Sequence, residues 1–128
     1  MSTGQQGDKR LRALRGAITV AADEPLAIAA GTSELLTAMM ARNEVEIDDL
    51  VSVIFTATAD LSADFPAAAA RALGIAHVPL LCAQEIAVPG DVERCIRVLM
   101  HLYTSRDYAS LRHVYLGGAR QLRTDLPE

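Results

Sequence analysis

Alternation of residue types along the chain predicts two strands in its first half. In Arg12–Thr19, Ala13, Arg15 and Ala17 face one way and the residues between them face the other, which is the period of two that a strand requires. An arginine in the middle of such a strand indicates an exposed face or the mouth of a site. Val51–Thr58 is rich in β-branched residues and predicts a central strand.

Apolar residues recur at helical spacing in three other segments. Asp23–Arg42 begins with a capping acid and has Pro25 in its first turn, both typical of a helix start. Pro66–Leu73 predicts a short alanine-rich helix, which Gly74 terminates. Val92–Tyr103 predicts a second long helix with period-3.6 spacing. Its buried stripe would consist of Val92, Cys95, Ile96, Leu99 and Leu102.

Two further strands complete an alternating order of strands and helices. His77–Cys82 contains Pro79, which indicates an edge strand or a bulge, and Arg112–Leu116 is the last strand. Such an order predicts an α+β or α/β domain, and we expect an α+β fold: a single mixed β-sheet with helices on one face. The other face then meets solvent or another subunit, and the apolar excess favours an oligomer.

The composition describes one globular domain. The 128 residues are 51% hydrophobic and 22% charged, enough for one core but not for two. Residues 1–10 are polar and predict a flexible N-terminal tail; residues 11–128 predict a single domain. No apolar run approaches the roughly 20 residues of a membrane helix, and no secretion signal is visible, so we expect a cytoplasmic protein. The net charge of −4 argues against a nucleic-acid partner.

The residues that often hold metals or cofactors are sparse. Cys82 and Cys95 form no metal-ligand spacing with the three histidines, which predicts free thiols and no metal. No phosphate loop or dinucleotide fingerprint is present, so no cofactor is expected.

Of the 12 basic residues only Lys9 is lysine. Arginine suits two-pronged recognition of carboxylates, although a biased genome explains the excess more simply.

The candidate chemistry consists of cations and one carboxylate. Arg97 is either a surface partner of Glu93 four residues earlier, which is the simpler interpretation, or a functional cation. Glu85 is a loop carboxylate or a ligand, and Cys82 is more often a small buried hydrophobe than a nucleophile. No Ser-His-Asp or Cys-His arrangement can be drawn. Electrostatic recognition of an anion would use some of the candidates Arg15, Arg71, Cys82, Glu85, Arg97, Tyr115 and Arg123.

Six segments, read together, resemble the small monofunctional chorismate mutases of the AroH class in order and spacing. They are RALRGAITV, TATADLSADFPAAAAR, VPLLCAQEIAVPG, RCIRVLMH, RHVYL and LRTDLP, spread over roughly Leu11–Pro127. The resemblance implies a Bacillus chorismate mutase-like fold and a homotrimer, a pseudo α/β-barrel with active sites between subunits. It also implies the Claisen rearrangement of the substrate chorismate to prephenate, on the route to phenylalanine and tyrosine, without covalent catalysis.

The resemblance further implies roles for particular residues. Arg97 would donate to the ether oxygen, and Glu85 would hold the ring hydroxyl with Cys82 in support. Arg15 would grip a substrate carboxylate, assisted by Tyr115. The C-terminal tail, residues 117–128, would lie over the active site, with its Arg123 closing the mouth. The other substrate-binding positions are Phe65 and Arg71, donated by the adjacent subunit, and the backbone of Leu81, Ala83 and Gln84.

Two positions depart from the family pattern, and two other functions are compatible with the sequence. Ala68 stands where a family member has lysine, and Leu81 where it has threonine; both changes would affect substrate capture more than the reaction. A non-catalytic trimer that binds a carboxylate metabolite would use the same arginines only for binding. A small trimeric imine-hydrolysing enzyme is the other alternative, and the RHVY and CIR elements fit it poorly.

Overall fold

Residues 8–122 are described by this computed structural model, and residues 1–7 of the predicted tail lie outside it. The helices are α1 (Pro25–Arg42) and the shorter α2 (Ala67–Ala72), and short 3-10 turns cover Ile47–Asp49 and Gly117–Leu122. The strands are β1 (Arg10–Thr19), β2 (Leu50–Ala57), β3 (Leu80–Gln84), β4 (Cys95–Thr104) and β5 (Val114–Leu116).

The strands form one sheet in the order β3-β2-β4-β1-β5. β4 runs antiparallel to both of its neighbours, β1 and β2, whereas the outer pairs β1–β5 and β2–β3 are parallel. The predicted single mixed sheet is therefore confirmed, and β2 is an interior strand as predicted. β3 is an edge strand, in agreement with Pro79 just before it, although the strand begins three residues later than predicted.

The helix predicted over Val92–Tyr103 is wrong, because most of this segment is the strand β4. β4 lies between two hydrogen-bonded strands and carries apolar side chains on both faces. Cys95 and Leu99 on one face and Ile96 on the other therefore reproduce helical spacing by coincidence. The true period is two, and the side chains that point into the main core are Ile96, Val98, Met100 and Leu102.

The long helix α1 follows the prediction except at its first residue. Pro25 occupies the first helical turn, where its missing N–H costs nothing, and Asn43 caps the other end. The Asn43 Nδ2 donates to the carbonyl of Met39 (2.8 Å), and its Oδ1 accepts from the backbone of Arg112 (2.7 Å). Asp23 makes no cap: Glu24 is the N-cap, and the Asp23 carboxylate is used by a distant loop instead.

The helices α1 and α2 cover one face of the sheet; on the opposite face the 3-10 turn Gly117–Leu122 packs over Ala17, Cys95 and Tyr115 and leaves the rest open. On β1, Leu14 and Ile18 pack into the main core beneath α1, and Arg15 and Ala17 point the other way, as their alternation predicts. The short α2 contributes the buried Ala67 and Ala70 to the same core, and Gly74 ends it at φ +94°. We call the uncovered side the open face of the sheet. No helix within residues 8–122 has the length and apolar character to cross a membrane.

Candidate active site

Arg97 lies at the centre of the open face, where neighbouring strands bring predicted residues together. On β4 it pairs with Thr56 of β2 and with Ala17 of β1, and Ala17 pairs in turn with Tyr115 of β5. Directly paired residues project from the same face of a sheet. Tyr115, Arg97 and Thr56 therefore form one row across the open face.

Arg15 lies on the same face, two residues before Ala17 on β1. Its backbone N–H donates to the Nδ1 of His113 (2.9 Å), which extends the contact between β1 and the segment leading into β5. Arg15, Arg97 and Tyr115 line one open pocket of about 470 Å³. Three residues separated by up to 100 positions in sequence thus meet at one site because of strand register.

Glu85 faces Arg97 from the end of β3. Its Oε1 lies 3.5 Å from the Arg97 Nε, and its Oε2 accepts a hydrogen bond from the Thr56 hydroxyl. The Glu85 backbone N–H also donates to the carbonyl of Ala57 (2.8 Å). The carboxylate is thus fixed at both its backbone and its side chain, and it lies beside the cation as an acceptor.

The Arg97 Nε is buried yet makes no hydrogen bond within the described residues. Its separation from Glu85 brings the two charges together, but the N–H is not aligned for a hydrogen bond. The N–H therefore keeps unused donor capacity in a side chain that lines the pocket. The guanidinium is therefore suited to receive an acceptor oxygen.

Asp91 holds the other end of the Arg97 guanidinium. Its Oδ2 accepts from an Arg97 Nη at 3.3 Å, and it lies in the loop between β3 and β4. The simpler interpretation of the sequence was an ion pair between Arg97 and Glu93 on one helix, and it is wrong. The Glu93 Oε1 instead lies 3.8 Å from an Arg94 Nη. Thr56 and Asp91 were not among the predicted site residues.

A second pocket, of about 360 Å³, collects most of the remaining predicted positions. Phe65, Cys82, Ala83 and Gln84 all line it, and the Phe65 side chain is 68% exposed. The Cys82 side chain packs against the main core and so lies on the helix side of β3, away from Arg97. Within one chain, the predicted residues are therefore divided between two pockets.

Four predicted residues line neither pocket or cannot be placed. Glu85 lies beside Arg97 but lines an adjacent pocket that also contains Asp91. Leu81 lies on β3 paired with Ile54 and is 59% exposed. Arg71 is exposed on α2. Arg123 lies outside the described residues, as does the part of the predicted C-terminal tail from residue 123 onward, and the earlier part forms the 3-10 turn Gly117–Leu122.

The loop that carries Phe65 is held by Asp23. The Asp23 Oδ1 accepts from the backbone N–H groups of Ser62 and Ala63, both at 2.9 Å, and its Oδ2 accepts from the Ser62 hydroxyl. These backbone donors stabilise the ionised carboxylate and lower the pKa of Asp23 below its usual value of 3.8. The carboxylate that the sequence assigned to a helix cap thus orders the wall of the second pocket.

Neither cysteine has the surroundings of a nucleophile. Cys95 projects from the open face and is buried there against Ala17 and Tyr115; burial raises the pKa of its thiol to about 11, so the thiol is neutral at neutral pH. Cys82 is a free thiol packed against the core. No cluster of metal-ligating side chains occurs among residues 8–122. The chemistry that the open face offers is electrostatic.

Comparison with known proteins agrees with this arrangement. The family described as chorismate mutase type I matches residues 11–126. A chorismate mutase AroH from Thermus thermophilus is 49% identical over 117 residues, which are 91% of this chain and 96% of that protein. The corresponding protein of Bacillus subtilis is 41% identical over 117 residues, with 91% and 92% covered.

A solved structure has the same fold. A chorismate mutase from Clostridium thermocellum is 48% identical and aligns with a TM-score of 0.85, covering 86% of this chain and 98% of that one. The resemblance inferred from the six sequence segments is confirmed by these matches. This chain belongs to the chorismate mutase type I family.

Proposed function

We propose that the pocket around Arg97 binds chorismate and that the chain catalyses its rearrangement to prephenate there. Membership of the family makes the chain a chorismate mutase, an isomerase of aromatic amino-acid biosynthesis. The reaction is unimolecular and needs no nucleophile. The protein has to hold a dicarboxylate in a compact conformer and stabilise charge as the ether bond breaks.

The observation that carries this assignment is the unsatisfied Nε of Arg97. It is buried without a hydrogen bond among the described residues and belongs to a side chain that lines a pocket of about 470 Å³. Negative charge develops on the ether oxygen as the C–O bond breaks. A preorganised cation at that oxygen stabilises the transition state more than the ground state, which is the requirement for catalysis.

Glu85 is assigned to the ring hydroxyl of the substrate. Its Oε2 already accepts from Thr56, and an ionised carboxylate has further acceptor capacity for an O–H donor. Its negative charge beside Arg97, 3.5 Å from Nε, keeps the guanidinium in place while the pocket is empty. Glu85 would thus orient both the cation and the substrate ring.

Arg15 and Tyr115 are assigned to a substrate carboxylate. Arg15 projects from β1 into the pocket that Arg97 lines, and its planar guanidinium can donate two parallel hydrogen bonds to a carboxylate. Tyr115, in the row with Arg97, would add its hydroxyl. Each such charge-assisted contact contributes about 1.5–3 kcal/mol.

We further propose a homotrimer, in which the second pocket of one subunit completes the Arg97 pocket of its neighbour. The division of the predicted residues between two pockets supports this, because Phe65 and Cys82 line the second pocket and do not line the first. Phe65 and Arg71 would approach from that neighbouring subunit, and Arg123 would close the mouth. A cytoplasmic location and a single domain over residues 11–128 stay predictions.

The substitution Arg97→Ala tests the assignment. Loss of this donor is expected to lower kcat/KM for chorismate by at least about 10²–10³-fold, measured by the fall in chorismate absorbance. The matched control is Arg42→Ala, which removes an exposed arginine at the end of α1 and should leave turnover unchanged. Both variants should retain the circular dichroism spectrum of the wild type.

Each outcome of this assay has a defined meaning. Normal turnover by a folded Arg97→Ala variant would contradict the role of Arg97. A wild-type protein that binds chorismate but leaves its slow spontaneous loss unchanged would instead support the alternative, a non-catalytic carboxylate-binding protein that uses the same arginines.

A further inference from the structure

The contact between Asp91 and Arg97 has no role in the reaction as assigned above. The Asp91 Oδ2 accepts from an Arg97 Nη at 3.3 Å, and both side chains line the same pocket. We propose that Asp91 limits the affinity for the substrate: it occupies Arg97 in the empty pocket and is displaced by a carboxylate of the substrate. The proposal rests on the proposed function and concerns affinity.

Charge balance explains why this contact affects the binding of a dianion. Within one chain, Arg15, Arg97 and Asp91 line the pocket and Glu85 lies 3.5 Å from the Arg97 Nε, so two carboxylates accompany the two cations before a neighbouring subunit adds any residue. A pocket with balanced charges attracts a dicarboxylate less strongly than one with a net positive charge. A substrate carboxylate that replaced Asp91 on the guanidinium would exchange one carboxylate contact for another, so part of its binding energy would be spent on the displacement.

The two carboxylates on Arg97 differ in how firmly they are held. Glu85 is fixed by Thr56 and by its own backbone hydrogen bond to Ala57. Asp91 lies in an exposed loop, and its other hydrogen bonds stay within that loop: the Val92 N–H donates to its Oδ1 at 2.8 Å, and its own N–H donates to the Val88 carbonyl at 3.1 Å. Next to it, Gly90 adopts φ +87°, with open space where a side chain would be. Asp91 is therefore the carboxylate that can move away.

The test compares Asp91→Asn with Glu93→Gln in steady-state kinetics with chorismate. Both substitutions remove one negative charge from the same loop, but the side chain of Glu93 contacts Arg94 and not Arg97. The Asn side chain can still accept from the backbone N–H of Val92, as Asp91 does at 2.8 Å, so the turn is preserved. The matched pair separates loss of the contact from loss of charge.

We expect Asp91→Asn to lower KM for chorismate about two- to fivefold, so that kcat/KM rises, and Glu93→Gln to leave both constants unchanged. The inhibition constant of the product prephenate, also a dicarboxylate, should fall together with KM. Equal effects of the two substitutions would overturn the proposal, since charge alone would then explain them. An increase in KM, or a decrease in kcat without tighter prephenate binding, would overturn it by showing that Asp91 orients Arg97 for the reaction.

The assay also separates this proposal from the proposed function. Wild-type protein that does not accelerate chorismate loss would contradict the function itself. If wild-type protein turns over chorismate, the function stands and the ratio of KM values between Asp91→Asn and wild type decides the role of Asp91.

Discussion

The hydroxyl of Thr56 determines which oxygen of Glu85 faces Arg97. It donates to Oε2, so Oε1 is the oxygen that lies 3.5 Å from the cation. A threonine is ordinary in a strand rich in β-branched residues, so the sequence offered no signal for it. Only the register of β2 against β4, which places Thr56 opposite Arg97, reveals the contact.

Asp23 does not cap α1, as its position before the helix predicts, but holds a loop that is distant in sequence. Its carboxylate accepts from Ser62 and Ala63, almost 40 positions away, and no periodicity reports a contact at that distance. An acid just before a helix can accept either from the first N–H groups of that helix or from the N–H groups of a distant loop. The sequence is the same in both cases, so it does not distinguish a cap from a loop anchor.

The substitution Asp23→Asn should lower the free energy of unfolding at pH 7, because a neutral amide accepts these hydrogen bonds more weakly than a carboxylate. The folded-state pKa of Asp23 lies below the usual 3.8, so its ionised form stabilises the fold above that value. This contribution is lost as the pH falls through the folded-state pKa. The difference from wild type, measured by denaturant unfolding, should therefore shrink as the pH falls below the usual value of 3.8.

The control for this prediction is Glu34→Gln, which removes the charge of an exposed acid within α1. It should change stability little and without the same pH dependence. A stability difference between Asp23→Asn and wild type that is as large at pH 3 as at pH 7 would contradict the role given to the ionised carboxylate.

At the scale of elements, the sequence predicted β1 and α1 well because each has one strong period, and β2 because it is rich in β-branched residues. The Arg12–Thr19 alternation placed Arg15 and Ala17 on one face, as found. Prediction from periodicity failed at β4, because both faces of that strand carry apolar residues and the periods of two and 3.6 cannot then be told apart. Arg97 was consequently given a helical neighbour, Glu93, and its true partner Asp91 became visible only in the strand arrangement.

The packing of α1 on the first strand depends on the absence of a side chain at Gly31. An alanine Cβ there would lie 2.5 Å from the Val20 Cγ1, and valine is stiff about χ1. Helix propensity alone predicts that Gly31→Ala stabilises α1 by about 1 kcal/mol. We expect the opposite, a net loss of about 1–2 kcal/mol in the free energy of unfolding, because overpacking costs more than the propensity gains.

A double-mutant cycle with Val20→Ala checks this prediction by denaturant unfolding. Val20→Ala opens the space that the new methyl group needs, so Gly31→Ala should be far less harmful, or stabilising, in that background. A Gly31→Ala variant that is more stable than wild type in the original background would show that α1 shifts away from Val20 without cost.

At the scale of the whole molecule, the open face of the sheet carries more apolar surface than a lone subunit needs. Leu11 on β1 and Tyr103 on β4 are paired and are 49% and 48% exposed, and Leu81 lies exposed on the same face of the edge strand. Clustered exposed apolar residues mark contact surfaces. The same face holds the Arg97 pocket, so the surface that would bury these residues in the proposed trimer is also the one that would complete the site.

The substitution Leu11→Glu tests whether assembly and activity depend on this face. A carboxylate at Leu11 would be buried against a neighbouring subunit without a partner, which is strongly unfavourable. Leu11 does not line the Arg97 pocket, so any loss of activity would come through assembly. We expect the mass in solution, measured by light scattering, to fall from three chains to one and chorismate turnover to fall with it, while the circular dichroism spectrum persists. The control, Leu26→Glu, changes a leucine that is 84% exposed on α1 and should preserve mass and turnover; a trimeric, active Leu11→Glu variant would place the subunit contacts elsewhere.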